Sequence, residues 1–302
     1  MSSFFDEIKK NKIKSILLLV LFGALFAAIL YLLILVLGGG LFAFIIGVAI
    51  VAGYAAFSYH MGSRIVLKAS GAKKASRKDY PVLFDTVEGL AAATQIGMPE
   101  IYVINDPNPN AFATGRNRKH ASIAVTTGLL QTMNRQELEG VISHEISHVA
   151  NNDIQFMMFA VVFAGVIGIV AALMRWSLFF GAGSVMGGEG RRGGGMLLLI
   201  ALLIGFLTPF FAMLLRLAIS RRREYMADAN GARITRAPMH LASALRKIQQ
   251  YENKPNAMPV QHVNSVTAML YFENPLSKRS LANLLSTHPP IGERIKLLEQ
   301  MY

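Results

Sequence analysis

The chain has no cysteine among its 302 residues, and that absence removes two things at once. No disulfide can staple the fold, and any zinc held here must be held by nitrogen and oxygen donors. Acidic residues are also scarce, 18 against 30 Lys and Arg, which gives a formal charge of +12. Such a charge invites nucleic acid, yet no aromatic-interleaved basic motif or other nucleic-acid signature accompanies it. The basic residues cluster instead beside apolar runs: Lys9, Lys10, Lys12 and Lys14; then Arg64, Lys68, Lys73, Lys74, Arg77 and Lys78; then Arg221, Arg222 and Arg223. That is where the positive-inside rule puts cytosol-facing charge, with added attraction to anionic lipid. The expected partner is therefore a lipid bilayer, and not nucleic acid.

What the chain has in excess is apolar residues, 53% of the total, above the usual soluble range. Four segments hold the excess: 15–37, 41–60, 156–174 and 196–219. Each approaches or exceeds the ~20 residues that cross ~30 Å of hydrocarbon at 1.5 Å per residue. The first follows "KKNKIK" and could mimic a signal peptide. Its apolar core is too long, however, and no small-residue cleavage site ends it, so it reads as a retained anchor. With the N-terminus and 61–80 on the cytosolic side, segments one and two form a hairpin around "LGGGL". Segments three and four form a second hairpin, whose loop "GAGSVMGGEGRRGGG" lies outside; Arg191 and Arg192 in it run against the rule but are outnumbered. Whether segments three and four span fully or insert partway stays open, and both ends of the pair share one side in either case. The expected organisation is a transmembrane hairpin over 1–60, a cytosolic catalytic part over 61–155, a second hydrophobic hairpin over 156–219 and a second catalytic part over 220–302.

The chemistry sits at the start of the third segment. "NRQELEGVISHEISHVAN" reads as a helix: Asn134 with Glu137 three later has the form of a capping box. Leu138, Ile142, Ile146 and Val149 make an apolar stripe. His144 and His148 are one turn apart on another face, so two imidazoles can converge on one ion. Glu145, about 100° round the helix, lies beside that ion, where a carboxylate can take a proton from metal-bound water. This is the H-E-x-x-H pattern, and it is half a site.

Zinc needs a third protein ligand. The metzincin extension would require Gly at 151 and His at 154; the chain has Asn151 and Ile154, so that class is excluded. His240, His262, His288, Glu224, Asp228 and Glu273 are the candidates. Depth favours Glu224. A continuous helix puts His148 ~12 Å from the membrane boundary, and Glu224 follows the fourth segment by ~8 Å. If the two segments pair, the two residues stand at similar depth on adjacent helices. "SRRREYMADANGARI" reads as that helix, with Asp228 one turn beyond Glu224, where a carboxylate can hold a ligating histidine's other N–H.

Four stretches together carry a family likeness: "HEISHVANND", "RRREYMADANGA", "PNAFATG" and "STHPP". With them the sequence resembles the HtpX-type membrane metallopeptidases, relatives of the CAAX prenyl endopeptidases, in order over nearly the whole chain. The resemblance implies that His144, His148 and Glu224 bind one zinc ion per chain, that Glu145 is the catalytic carboxylate and that Asp228 supports the ligands. It also implies substrates that are damaged or misassembled membrane proteins, hence a role in protein quality control at the cytosolic face of the cell membrane.

Two further motifs bear on catalysis. His288 stands before Pro289 and Pro290, which open the terminal helix "IGERIKLLEQ"; a fixed imidazole there could donate to the tetrahedral oxyanion. Asn110, Ala111, Phe112 and Ala113 lie between the strand-like runs "IYVIN" and "ASIAVTTG". They are expected on an edge strand that pairs with extended substrate through main-chain hydrogen bonds. The expected fold class is mainly α with a small β-sheet (α+β): a multi-pass membrane protein with a zincin-like catalytic domain. Alternatives are a CAAX-type prenyl-protein endopeptidase and a non-enzymatic metal-binding membrane scaffold. An intramembrane protease is disfavoured by Glu137, Glu139, Asn151, Asn152 and Asp153 around the motif.

Overall fold

The computed structural model describes residues 40–155, 221–252 and 289–301. The apolar segments 15–37, 156–174 and 196–219, the glycine-rich loop after residue 180, His262, Glu273 and His288 lie outside the described residues. Of the described residues, 40–56 belong to one compact unit and 57–155, 221–252 and 289–301 to a second.

The second apolar segment begins α1 (Leu41–Ala69), and the helix runs on past it. Leu41, Phe42, Ile45, Ile46, Val48 and Phe57 are exposed, whereas Val66 and Leu67 near its end are buried. Its later part carries His60, Arg64 and Lys68. Among the described residues no helix is long and apolar enough to cross a membrane.

Four strands follow the chain order β1 (Lys73–Lys74), β2 (Glu100–Ile104), β3 (Ala111–Asn117) and β4 (His120–Thr126). They form one sheet in the order β1-β2-β4-β3, with β2 and β4 parallel and the outer pairs antiparallel. Alternation of side chains divides the strands between two layers. Ile101, Val103, Ala111, Ala113, Ile123 and Val125 enter the larger core, and Ile104, Phe112 and Ala124 meet Val66 and Leu67 on the other face. A central strand covered on both faces reads as a continuous apolar run, which explains "ASIAV".

Six helices complete the described set: α2 (Pro81–Ala93), α3 (Thr127–Thr132), α4 (Arg135–Ala150), α5 (Arg221–Thr235), α6 (Pro238–Glu252) and α7 (Ile291–Glu299). The architecture is thus helix-dominated α+β with a small sheet. The expected capping box starts α4: Glu137 N–H donates to Asn134 Oδ1 and Asn134 N–H to Glu137 Oε2, both at 2.9 Å. The stripe Leu138, Ile142, Ile146 and Val149 is buried against α2, β3, α5 and α6. Gly140 lets α6 come close, since a Cβ there would stand 2.6 Å from Leu241 N.

The register of β3 matters for the site. Thr126 N–H donates to Asn110 O at 3.0 Å, and Thr126 Oγ1 accepts from Asn110 N–H at 2.9 Å. Asn110, Phe112 and Thr114 therefore bond to β4, and Ala111 and Ala113 turn their N–H and C=O groups to the other side of β3, before the register shifts between Gly115 and Asn117. Gly115 has φ +147°, and a Cβ there would lie 2.4 Å from His120 O. Only glycine fits that end of the strand.

Candidate metal centre

Helix periodicity puts His144 and His148 one turn apart on α4, and α5 packs across them. Gly231 permits that approach, because a Cβ at 231 would sit 2.9 Å from Ser143 Oγ and 3.2 Å from His144 N. Close packing brings Glu224 and Asp228, one turn apart on α5, over the two imidazoles. His144, His148 and Glu224 each point one donor atom into a common space, all within 4.8 Å of one another and all buried. The two Nε2 atoms are 3.1 Å apart, and each lies 3.6 Å from a Glu224 oxygen.

Each imidazole is held from behind by a carboxylate. His144 Nδ1 donates to Asp228 Oδ1 at 2.8 Å, and His148 Nδ1 to Asp153 Oδ2 at 3.1 Å. With both Nδ1 protons so committed, both Nε2 lone pairs face inward. Two lone pairs and a carboxylate converging in a buried space repel one another unless a cation lies among them. Three nitrogen and oxygen donors from a cysteine-free chain are a donor set that zinc accepts, with a fourth position left for water or substrate.

Their surroundings push the two histidines in opposite directions. Burial alone would lower both histidines. It carries His144 down to about 4, outweighing the Asp228 hydrogen bond that works the other way. His148 resists the same burial through its bond to Asp153 and the charges of Glu224, Asp153 and Glu145, and rises to about 9. Burial raises Glu145 to about 7, with the Glu224 charge adding to it and His148 and a hydrogen bond from the Ala113 N–H opposing it. Asp228 is held down at about 2: burial opposes this, but the Arg294 charge and the bonds from His144 and Arg294 prevail.

Three residues of the centre were not among the site residues expected from sequence. Arg294 on α7 is fully buried and grips Asp228 with Nε at 2.9 Å and Nη2 at 2.7 Å. Asp153 supports His148, and Arg223 donates to Asp153 Oδ1 at 2.6 Å. Asp153 lay inside "HEISHVANND" and could have been found as a carboxylate just past the second histidine. Arg294 had no signal beyond being a cation on an amphipathic helix.

Among the described residues, the other candidates fall elsewhere. His240 is 3.4 Å from Glu139, away from the cluster. Ala111 to Ala113 start β3, with Asn110 just before it, and all four residues are buried. Phe112 points into the layer on the α1 side of the sheet, and Asn110 Oδ1 accepts from Ala111 N–H. What this stretch turns away from β4 is main chain, at Ala111 and Ala113, and it too is buried.

Fold and donor set together describe a helix-borne pair of histidines completed from a second helix, and sequence comparison decides whose they are. The family model described as Peptidase family M48 matches residues 78–302. The chain belongs to peptidase family M48. The likeness to HtpX-type proteases holds as well. The Protease HtpX homolog of Dictyoglomus turgidum is 40% identical over 299 residues, covering 99% of this chain and 95% of that relative. That of Caldanaerobacter subterraneus subsp. tengcongensis is 41% identical over 297 residues, covering 97% and 96%. That of Tropheryma whipplei is 42% identical over 254 residues, covering 83% of each. Among solved structures, the crystal structure of S. mikatae Ste24p matches with a TM-score of 0.52 at 19% identity, over 96% of this chain and 67% of that one; the likeness is one of fold. This M48 chain is thus a metallopeptidase, a hydrolase whose substrates are peptides or proteins.

Proposed function

We propose that this M48 peptidase is a multi-pass membrane protein that binds one zinc ion through His144, His148 and Glu224. It would cut damaged or misassembled membrane proteins at the cytosolic face of the cell membrane. The observation that carries the metal assignment is the pair of inward-facing Nε2 atoms, 3.1 Å apart, with Glu224 closing the triangle. Zinc, when bound there, polarises a carbonyl oxygen and makes water more acidic.

The chain's own residues then do the rest. Glu145, held near neutrality, takes the proton of the attacking water and returns it to the leaving amine. The N–H of Ala111 and the C=O groups of Ala111 and Ala113 bond an extended peptide as an added strand. The Ala113 N–H that bonds Glu145 brings that strand and the base to one place. Asp228, gripped by Arg294, keeps His144 in the tautomer whose Nε2 can ligate. His288 donates to the developing oxyanion; it stands just ahead of Pro289 in the chain, and α7 beyond it carries Arg294 to Asp228.

The membrane assignment draws on the four apolar segments, on the cationic clusters beside them and on the exposed Leu41, Phe42, Ile45, Ile46 and Val48 at the start of α1. A prenylated CAAX substrate has no residue here that favours it. Metal analysis tests the centre: purified wild type should carry about one zinc per chain, and Glu224→Ala should carry far less. Undiminished zinc in Glu224→Ala would remove that residue from the ligand set.

A further inference from the structure

We infer that the turn between β3 and β4 docks on anionic lipid, with Arg116, Arg118 and Lys119 meeting the negatively charged headgroups beside the second apolar segment. The inference rests on the membrane reading above.

The turn leaves its cations unspent. Arg118 and Lys119 are exposed and form the two-residue link between the strands, across which Asn117 and His120 pair. Asn117 Oδ1 accepts from the N–H groups of Lys119 and His120, both at 3.0 Å, so the asparagine shapes the turn without help from the charged side chains. Arg116, half-buried, comes just before it. No Asp or Glu occurs between Asp106 and Glu137. Among the described residues none of the three cations has an ion-pair partner. Two carboxylates on neighbouring elements are already paired: Glu100 on β2 with Lys74 at 2.8 Å, and Asp153 beyond α4 with Arg223 at 2.6 Å. The surplus is three positive charges within residues 116–119.

The place of the turn names the partner. The Arg116 C=O accepts from Tyr59 Oη–H at 3.4 Å and from Gln155 Nε2 at 2.9 Å. Tyr59 belongs to the last turn of the apolar segment 41–60. Helix α1 runs along the sheet, with Tyr59 at Arg116 and Val66 and Leu67 packed with Phe112. Seven residues of helix advance ~10 Å and four of strand ~13 Å, so the two elements keep step. Going from Phe112 to Arg116 is therefore going back along α1 towards its apolar part, where Phe57 is exposed. The membrane reading ends that segment at the cytosolic surface, a level that suits tyrosine. The turn then stands among headgroups, and the start of β3 points away from them. Anionic lipid attracts each Lys or Arg held at that level. Nucleic acid is a poor match, because Gly115–Ala121 has no Phe, Tyr or Trp on which bases could stack.

The test uses the full chain in nanodiscs, made of phosphatidylcholine alone or with about a third phosphatidylglycerol. Because the chain has no cysteine, Arg118→Cys takes a single bimane label at the turn and keeps Arg116 and Lys119. Quenching by a nitroxide on a phosphatidylcholine headgroup, present in both discs, reports contact with the headgroup layer. Gln136→Cys is the control, exposed at the start of α4 and ~20 Å of helix away from the end that leads to Gln155. The label at 118 should be quenched well above the label at 136, and more strongly in the anionic discs. Adding Arg116→Gln and Lys119→Gln should weaken docking about fivefold per charge removed, and raised salt should weaken it too. Three outcomes would each overturn the inference: quenching at 118 no greater than at 136, equal quenching in neutral and anionic discs, or indifference to the two charges. Loss of the quenching on adding an RNA oligonucleotide would reassign the turn to nucleic acid. If Arg116→Gln does not fold, Lys119→Gln alone decides on the same terms. A chain that stays soluble without lipid or detergent and never enters discs would instead bring down the membrane reading, and this inference with it.

Discussion

Glu137 and Glu145 lie about two turns apart on α4 and are 4% and 2% exposed, yet their carboxyls are pushed in opposite directions. Burial pushes both up. Glu137 nonetheless ends below its ordinary value, because Lys247 Nζ reaches it at 2.6 Å, Asn134 N–H at 2.9 Å and Ser243 Oγ at 2.8 Å. Glu145 has the Ala113 N–H and the neighbouring His148, with Glu224 repelling it, and rises to about 7. A buried carboxylate saturated with donors is a strut. One left short of donors keeps an affinity for protons near neutral pH, which is what a general base requires. The same helix holds both, one at its capped start and one at its reactive end.

The sharpest way to break this contrast is to remove each charge in turn. Glu145→Gln keeps the shape and loses the base, so proteolysis of a casein-type substrate should fall about 10²- to 10⁴-fold. Zinc should stay at about one per chain, and the melting temperature should not drop. Glu137→Gln should leave the rate per folded molecule unchanged and lower stability instead. Full cleavage by Glu145→Gln would end its assignment as the base. An equal loss of rate in Glu137→Gln would erase the distinction between strut and base.

A second pair of substitutions separates the two ends of α4 through packing. Gly140→Ala would drive a methyl into the backbone of α6, 2.6 Å from Leu241 N and 2.8 Å from Leu241 Cα. Backbone cannot step aside as a side chain can. The expected cost is about 1–3 kcal/mol, or roughly 2–4 °C of melting temperature per kcal/mol, with zinc affinity little changed. Gly231→Ala meets Ser143 Oγ at 2.9 Å and His144 N at 3.2 Å, a contact a small shift of α5 can relieve. That shift carries Glu224 and Asp228 with it. Gly231→Ala should therefore lose less stability than Gly140→Ala and more zinc affinity; calorimetry beside chelator titration would expose the opposite order.

How much of this could be read from the sequence follows from what is local. The capping box, the buried stripe of α4, the α5 helix and the strand at Ala111–Asn117 rest on neighbours within a few residues, and periodicity and turn chemistry report those directly. The meeting of His148 with Glu224 was expected from depth counted off the apolar segments on the supposition that they pair, and those segments lie outside the described residues. Arg294 was beyond such counting. It is joined to His144 across 150 positions by a bond network that no periodicity encodes, and a cation on a short amphipathic helix ordinarily faces water. Phe112 shows the converse. Its place in the edge-strand motif gave it an expected main-chain role but no face for its ring, and alternation along the strand sends that ring to the α1 side of the sheet. Face follows from register, and register is set by the partner strand.

The smallest effect is also the most diagnostic of why Glu137 is a strut. Lys247 is 37% exposed, so solvent screens the pair, and losing its charge should cost no more than about 1 kcal/mol. Glutamine can still accept from Asn134 N–H as a capping box allows, which leaves the charge as the main difference between Glu137→Gln and wild type. The sign is fixed by linkage. The folded protein holds the Glu137 proton less tightly than the unfolded chain, whose ordinary value is 4.5. Its contribution is therefore complete well above pH 4.5 and drains away as pH falls through the lower folded value. In metal-free protein, the melting-temperature gap between wild type and Glu137→Gln should be constant from pH 8 to about 6 and should shrink on acidification below about 4.5. Metal-free samples matter, because protons compete with zinc at the histidines and would otherwise move both curves together. A gap that persists at pH 3 would mean that Glu137 supports α4 by its shape and neutral hydrogen bonds. The two carboxylates of the helix would then differ in geometry and not in charge.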